Sequence, residues 1–267
     1  MQIHVAQRGD GMPPVLVFDR GGALLRTWGA GIIVTPHGLT TGLGSPPTVW
    51  VADIGDDTVK QFDLSGACLA VIGTHGVPGA GLAPPQFSSV ADIALTPWGD
   101  VVTVDGDAGT NNRVLGLRGA GDAWSTLYAV GGNGSAPGQF DSPHSVVYAS
   151  ATGEVLVADR FNNRLQGLDA RSGAVTGVWP SACFGGGQPW GLRLDEARGR
   201  MLLADGLNGR LLALAFPLGP RGACELLQSI DVCGACKPHE LGVDTATGDV
   251  YLAGVGTPPV MQRYVIV

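Results

Sequence analysis

The stretch Pro143-His-Ser-Val-Val-Tyr148, with Val155-Leu-Val-Ala-Asp159 and Asn163-Arg164-Leu-Gln-Gly-Leu-Asp169 after it, decides the fold of this chain. It has the pattern of a short strand, an apolar strand that ends in Asp, an Asn-Arg turn and an alternating strand. Four similar units begin at Pro36, Val90, Pro189 and Pro238. A four-stranded unit of about 40–50 residues that recurs along a chain is typical of a β-propeller blade.

A further, partial unit precedes the first complete one. Residues 4–8, 15–19 and 24–29 match the second, third and fourth strands of a blade, whereas the unit that begins at Pro238 lacks a fourth strand. The sequence therefore predicts an all-β, six-bladed β-propeller with incomplete terminal blades, formed as one domain by residues 1–267. Because one blade cannot bury both of its faces alone, neighbouring blades must supply the core.

The composition favours the same fold class. The chain has 43 Gly and 18 Pro in 267 residues, with 45% hydrophobic and only 15% charged residues, which indicates short strands joined by tight turns. The net charge of −7 and the lack of a basic run argue against nucleic-acid binding, because phosphates must be neutralised by Lys and Arg. No apolar run reaches the length of about 18 residues that a membrane span needs, so none is predicted.

Five cysteines leave the disulfide pattern open. They are Cys68, Cys183, Cys224, Cys233 and Cys236, and because the count is odd at least one stays unpaired within the chain. Cys233-Gly-Ala-Cys236 is compatible with a metal half-site or a redox pair, but no second C-x-x-C completes it. Two ordinary thiols or a local disulfide is the simpler interpretation.

Three of the five histidines occupy one phase of the repeat. His37, His144 and His239 each follow a proline at the start of the first strand in alternate units. The first strand of a blade lines the central channel, and alternate blades of six are related by a rotation of about 120°. The three imidazoles can therefore meet at one mouth, and three histidines with an open fourth position suit a catalytic zinc. The alternative is that each histidine only makes a hydrogen bond within its loop.

Arginines mark a second shared position. Arg8 and Arg160 end the second strands of blades that lie roughly opposite each other. We expect both side chains at the mouth with the histidines, where a guanidinium suits a carboxylate substrate, although a local salt bridge is an equal alternative. Arg113, Arg164 and Arg210 recur in the Asn-Arg turn, and a position repeated around the ring is usually structural.

With these motifs in view, the repeats resemble NHL repeats, and residues 8–267 are similar to the peptidyl-α-hydroxyglycine α-amidating lyases, also called peptidylamidoglycolate lyases. The most specific matches are Pro36-His37-Gly38-Leu39, Gly138-Gln-Phe-Asp-Ser-Pro-His144-Ser145, Ala158-Asp-Arg160 and Pro238-His239. The resemblance implies an NHL-type propeller with a zinc ion held by the three histidines and with Arg8 and Arg160 in the active site. It also implies a calcium ion bound by the Glu240 carboxylate and the Leu39 carbonyl.

The resemblance further implies an activity. Such a lyase cleaves the N–Cα bond of a C-terminal α-hydroxyglycine and releases a peptide amide and glyoxylate, so the substrate is a peptide and a peptidylglycine monooxygenase acts upstream. It also implies the secretory pathway, although the N-terminus, Met1-Gln2-Ile3-His4, lacks the apolar core of a signal peptide.

One position departs from the family. The lyases carry a tyrosine, taken as the base, where this chain has Asp107 in a longer loop. Asp107 is therefore the predicted base, provided that burial or a like charge raises its pKa. A metal-bound hydroxide is the alternative base.

Two other functions compete with the lyase. A catalytically silent NHL propeller would bind a protein or peptide at its rim. A metal-dependent hydrolase on the same ring, such as a lactonase, would use Asp, Glu and Asn ligands around calcium, and the three histidines count against it.

Overall fold

The computed structural model describes residues 2–42, 44–107, 110–121, 123–232, 236–256 and 260–265, and the side chains within them except those of residues 221 and 260. Their strands form six antiparallel sheets arranged as a six-bladed β-propeller, as predicted. No helix in these ranges is long and apolar enough to cross a membrane.

Within the described residues, the terminal blades have three strands and the others four, in chain order within each sheet. Blade 1 contains β1 (Gln2–Ala6), β2 (Val15–Asp19) and β3 (Leu24–Trp28); blade 2 contains β4 (Pro36–Gly42), β5 (Thr48–Asp53), β6 (Thr58–Asp63) and β7 (Cys68–Ile72). Blade 3 contains β8 (Val90–Leu95), β9 (Val101–Asp105), β10 (Arg113–Ala120) and β11 (Ala123–Gly131). Blade 4 contains β12 (Pro143–Ala149), β13 (Glu154–Asp159), β14 (Arg164–Asp169) and β15 (Val175–Pro180). Blade 5 contains β16 (Pro189–Asp195), β17 (Arg200–Asp205), β18 (Arg210–Ala215) and β19 (Leu226–Asp231); blade 6 contains β20 (Lys237–Val243), β21 (Val250–Val255) and β22 (Val260–Tyr264). Short 3₁₀ helices span Ser181–Phe184, Glu196–Arg198 and Pro220–Gly222.

The core lies between successive blades, as the repeat pattern predicts. Leu165 of blade 4 and Leu203 of blade 5, for example, share one fully buried cluster, and further clusters join the other consecutive pairs from blade 1 to blade 6. Blade 6 meets blade 1 through charge, where Arg20 contacts Asp244 at 2.9 Å and Asp249 at 3.3 Å. Each blade thus buries its faces against its neighbours.

A buried aspartate at the end of the second strand fixes the start of each of four blades. These fully buried residues are Asp53, Asp105, Asp159 and Asp205. Each accepts a hydrogen bond of 2.7–3.1 Å from a backbone N–H in the loop that enters its own blade, at Thr35, Ser88, Asp141 and Gln188 respectively. Each also pairs with a basic side chain of its blade, namely Lys60, Arg113, Arg164 and Arg210. The repeated arginines are therefore structural, and they hold the loops that lead into the channel-lining strands.

The cysteines form disulfides, one of the alternatives that the sequence leaves open. Cys183 and Cys224 are joined to each other, and Cys236 is also disulfide-bonded. Cys68 is free and exposed. Cys233 lies outside the described residues.

Candidate functional site

The three predicted histidines lie on β-bulges. The register of each first strand shifts near its start, at His37 and Gly38, at His144 and at His239, and a similar shift occurs at Ala91 and at Trp190. A bulge bends a strand and turns one side chain away from the regular alternation of the sheet. The fold thus offers one such position on each first strand, and the sequence places histidine at three of the five.

The bulges bring the three imidazoles together at one mouth of the channel. The ring centroids are 4.6 Å apart for His37 and His144, 4.7 Å for His144 and His239, and 5.0 Å for His37 and His239. One nitrogen from each ring lies within 4.8 Å of the other two. Histidines of blades 2, 4 and 6 therefore converge as predicted, and together they can bind a metal ion.

Hydrogen bonds to neighbouring blades orient two of these rings. Nδ1 of His37 lies 2.9 Å from the Ala91 carbonyl oxygen, and Nδ1 of His144 lies 2.7 Å from that of Trp190. A carbonyl only accepts, so each Nδ1 donates and each neutral ring carries its lone pair on Nε2. Within the described residues, both Nε2 atoms are buried without a hydrogen-bond partner. This arrangement, with the second nitrogen held by a carbonyl, is typical of metal-ligating histidines.

A glycine allows this close packing of blades 2 and 3. A Cβ added to Gly38 would lie 2.5 Å from Oδ1 of Asp92 and 2.6 Å from the Ala91 carbonyl oxygen. A side chain at this position would therefore push apart the strands that hold His37 against Ala91.

Burial favours the neutral forms of His144 and His239. It lowers the pKa of His144 to about 3, and the neighbouring His37 and Arg160 act in the same direction. Burial also lowers the pKa of His239, with further contributions from His144 and His37. Neutral imidazoles are the form that binds a metal ion.

Asp107 reaches the same point from the turn after β9. Its Oδ2 lies 3.1 Å from Nε2 of His37 and 4.0 Å from Nε2 of His144. Burial acts to raise the pKa of Asp107, but contact with His37 and the nearby His144 and Arg160 outweigh it and hold the pKa well below its usual value. A general base at this position was predicted to have a raised pKa, so the shift is opposite to the prediction.

Both predicted arginines also lie at this mouth. Nη1 of Arg160 donates to Oδ1 of Asp107 at 3.0 Å, and its guanidinium stacks 4.1 Å from the centroid of the Trp190 ring. Arg8 donates from Nε to the Pro36 carbonyl at 2.7 Å, directly before the first histidine. The mouth therefore combines a possible metal centre with two guanidinium groups.

The predicted calcium ligands lie further along the first strands, and the structure supplies them with an internal cation. Nη2 of Arg193 lies 3.4 Å from the Leu39 carbonyl oxygen and 3.4 Å from Oε2 of Glu240. Its Nη1 lies 3.2 Å from Oδ2 of Asp92 and donates to the Leu192 carbonyl at 2.6 Å. A calcium ion does not fit between Leu39 and Glu240 in this arrangement, because the guanidinium already contacts both.

The structure thus brings Arg8, His37, Asp107, His144, Arg160 and His239 to one mouth, and places Leu39 and Glu240 deeper in the channel. Sequence reasoning missed Trp190 and Arg193. Trp190 occupies the histidine phase of blade 5, and Arg193 is a charged residue on a channel-lining strand. The repeat alignment shows both positions, so both residues could have been found from the sequence.

Comparisons with known proteins agree with the resemblance. No protein-family model matches the chain. NHL repeat-containing protein 3 of Mus musculus is 38% identical over 270 residues, covering 98% of this chain and 76% of the mouse protein. A probable peptidyl-alpha-hydroxyglycine alpha-amidating lyase of Caenorhabditis elegans is 29% identical over 157 residues, covering 58% of this chain and 43% of that protein.

Among solved structures, a catalytically inactive virginiamycin B lyase from Staphylococcus aureus superposes with a TM-score of 0.59. It shares 12% identity and covers 99% of this chain and 88% of its own, so this similarity shows the fold alone. The similarity to the mouse protein, in contrast, extends over almost the whole chain at much higher identity. The chain is related to the amidating lyases and belongs to the family of NHL repeat-containing protein 3.

Proposed function

We propose that this protein is a zinc-dependent lyase that cleaves a peptidyl-α-hydroxyglycine into a peptide amide and glyoxylate. One observation carries the proposal: three histidines, of which His37 and His144 are buried and His239 is half-buried, share a mouth with two arginines. Three nitrogen ligands favour zinc over a hard cation such as calcium. The guanidinium groups suit the carboxylate of a C-terminal α-hydroxyglycine.

The residues of the chain have separate tasks in this reaction. Arg160 is held by Asp107 and by the face of Trp190, and its Nε is buried without a hydrogen-bond partner among the described residues. It is therefore placed to exchange a protein carboxylate for that of the substrate, while Arg8 adds positive charge next to the first histidine. A zinc ion bound by the histidines would polarise the substrate hydroxyl and lower its pKa.

The proton balance needs one acceptor. The hydroxyl proton leaves as the carbonyl of glyoxylate forms, the N–Cα bond breaks, and the amide nitrogen gains a proton. Asp107 is ionised and lies beside His37, so we propose it as the acceptor. Because its pKa is lowered, Asp107 is a weak general base, and we expect slow turnover.

The substrate also defines a partner reaction. An α-hydroxyglycine terminus arises by hydroxylation of the Cα of a terminal glycine. We propose that a peptidylglycine monooxygenase supplies it. By the same resemblance, we propose that both steps take place in the secretory pathway or outside the cell.

The test is release of glyoxylate from α-hydroxyhippurate by the zinc-loaded protein. We expect release above the spontaneous rate, and its loss in His144→Ala. His75→Ala is the matched control. His75 is an exposed histidine that contacts Asp56 and is not one of the three clustered histidines. Absence of release from protein that holds zinc would overturn the lyase.

The second candidate is a catalytically silent propeller that binds a peptide at its rim. The position of Asp107 favours it, because a carboxylate faces the histidine nitrogens where a substrate hydroxyl would have to bind. This candidate predicts zinc binding without glyoxylate release.

A further inference from the structure

We infer that Asp107 is the fourth protein ligand of the metal centre, so that the resting site is closed. This inference rests on the metal binding that the proposed function assumes. It goes beyond the three histidines, because it assigns a ligand that turns an open site into a saturated one. Four protein ligands are typical of structural zinc, whereas catalytic zinc keeps one position for water or substrate.

The first argument is electrostatic. Nδ1 of His37 donates to a carbonyl, which leaves Nε2 to face Asp107. The Oδ2 atom of Asp107 lies 3.1 Å from this Nε2. A carboxylate and an imidazole nitrogen stay this close only with a cation between them, which is a proton on Nε2 in the metal-free protein and would be the metal ion in the loaded protein.

The second argument is metric. Zinc lies about 2.0–2.2 Å from nitrogen and carboxylate oxygen, so ligand atoms at the corners of a tetrahedron are about 3.3–3.5 Å apart. The distances from Oδ2 to the two Nε2 atoms, 3.1 Å and 4.0 Å, bracket this range. Asp107 therefore lies at about a ligand-to-ligand distance from two of the three histidines, His37 and His144, with no change in the backbone.

The third argument is that the other oxygen of Asp107 is held in place. Oδ1 accepts hydrogen bonds from Arg160 at 3.0 Å and from the Ser142 hydroxyl at 3.3 Å. The backbone N–H of Asp107 donates to the Ser89 carbonyl at 3.1 Å. Partners of this kind orient a ligating carboxylate and leave Oδ2 directed at the histidines.

The inference changes how a substrate would enter. A substrate hydroxyl must displace Oδ2, and the substrate carboxylate competes for Arg160, which holds Oδ1. Displacement would free Asp107 to accept the hydroxyl proton. Binding of the substrate carboxylate and opening of the metal site are thereby coupled through one aspartate.

The test compares metal binding by the wild type, Asp107→Ala and Asp141→Asn. Asp141→Asn is the matched control, because it removes a negative charge from the neighbouring loop. The backbone N–H of Asp141, and not its carboxylate, donates to Asp159. Zinc affinity is measured by competition with a chromophoric chelator, and the visible spectrum of the Co²⁺ forms reports the coordination. Thermal unfolding of the metal-free variants checks that each is folded.

We expect Asp107→Ala to bind zinc at least about 10-fold more weakly, while Asp141→Asn stays within about two-fold of the wild type. Azide should shift the Co²⁺ spectrum of Asp107→Ala but not that of the wild type, because only the variant has an open position. Unchanged zinc affinity and an unchanged Co²⁺ spectrum in Asp107→Ala would overturn the inference.

The outcomes separate this inference from the lyase. Weaker metal binding by Asp107→Ala, with no glyoxylate release from the wild type, supports the ligand and overturns the lyase. Wild-type release that is lost in Asp107→Ala, with metal binding unchanged, supports a base and overturns the ligand. A wild type that binds neither Zn²⁺ nor Co²⁺ overturns both.

Discussion

Two charged clusters lie along the channel of this propeller, and they solve the problem of buried charge in opposite ways. At the mouth, three histidines and a carboxylate face one point, and the Nε2 atoms of His37 and His144 are buried. Deeper in the channel, Asp92 and Glu240 surround the guanidinium of Arg193. The mouth is arranged for a cation from outside, whereas the deeper cluster contains its own.

The arginines of the two clusters show the same difference. Arg193 contacts two carboxylates and two carbonyls, which come from blades 2, 3, 5 and 6. Burial acts to lower the pKa of Arg193, but Asp92 and Glu240 raise it above its usual value. Arg160 has one carboxylate and the rings of Trp190 and Phe161 as its partners. The deeper arginine is thus fixed as a structural cation, and the one at the mouth can exchange a partner.

The largest expected effect comes from removing the internal cation. Arg193→Met leaves Asp92 and Glu240 facing each other without a positive charge, and breaking a buried ion pair in this way costs about 3–5 kcal/mol. The free energy of unfolding in urea measures the loss. Arg171→Met is the control, since Arg171 is exposed and stacks 3.8 Å from the centroid of Trp98, and we expect it to cost about 1 kcal/mol or less. A similar small loss in Arg193→Met would contradict the structural role.

A smaller effect distinguishes the mouth as the site that responds to added metal. Zinc that binds only the folded protein stabilises it by about 2.7 kcal/mol at a free concentration 100 times its Kd. We expect the thermal midpoint to rise with zinc in the wild type and to stay constant in His144→Ala, which lacks one ligand. Calcium should leave the wild-type midpoint unchanged, because Arg193 already contacts the predicted calcium ligands. A calcium-dependent midpoint would show that the deeper cluster also takes an external ion.

The repeat explains which parts of these clusters the sequence could predict. The six blades and the convergence of His37, His144 and His239 follow from one phase of one repeat, which a single sequence displays. The environment of Arg193 depends on contacts between blades, since its partners Asp92 and Leu39 lie 101 and 154 residues away in the chain. The repeat phase shows that Arg193 lines the channel, but not which carboxylates and carbonyls of the other blades it contacts there.

Asp107 illustrates the same limit at the mouth. Its position in the loop was predictable from the resemblance, but its pKa depends on three neighbours from blades 2 and 4, His37, His144 and Arg160. A sequence shows that a carboxylate is present. The direction of its pKa shift requires the distances to those neighbours.

The smallest predicted effect tests whether Arg160 binds the carboxylate of a ligand. Trp190→Leu removes the ring that stacks on Arg160 at 4.1 Å, but it keeps the backbone carbonyl that binds His144. A cation–π contact of this kind contributes about 1 kcal/mol, so we expect about five-fold weaker binding of hippurate, a carboxylate without the reactive hydroxyl, measured by titration calorimetry. Trp190→Phe is the matched control, because it retains a ring, and its loss should be smaller. Zinc affinity should stay within about two-fold of the wild type in both variants, and an equal fall in zinc affinity would show that Trp190 acts through His144 instead.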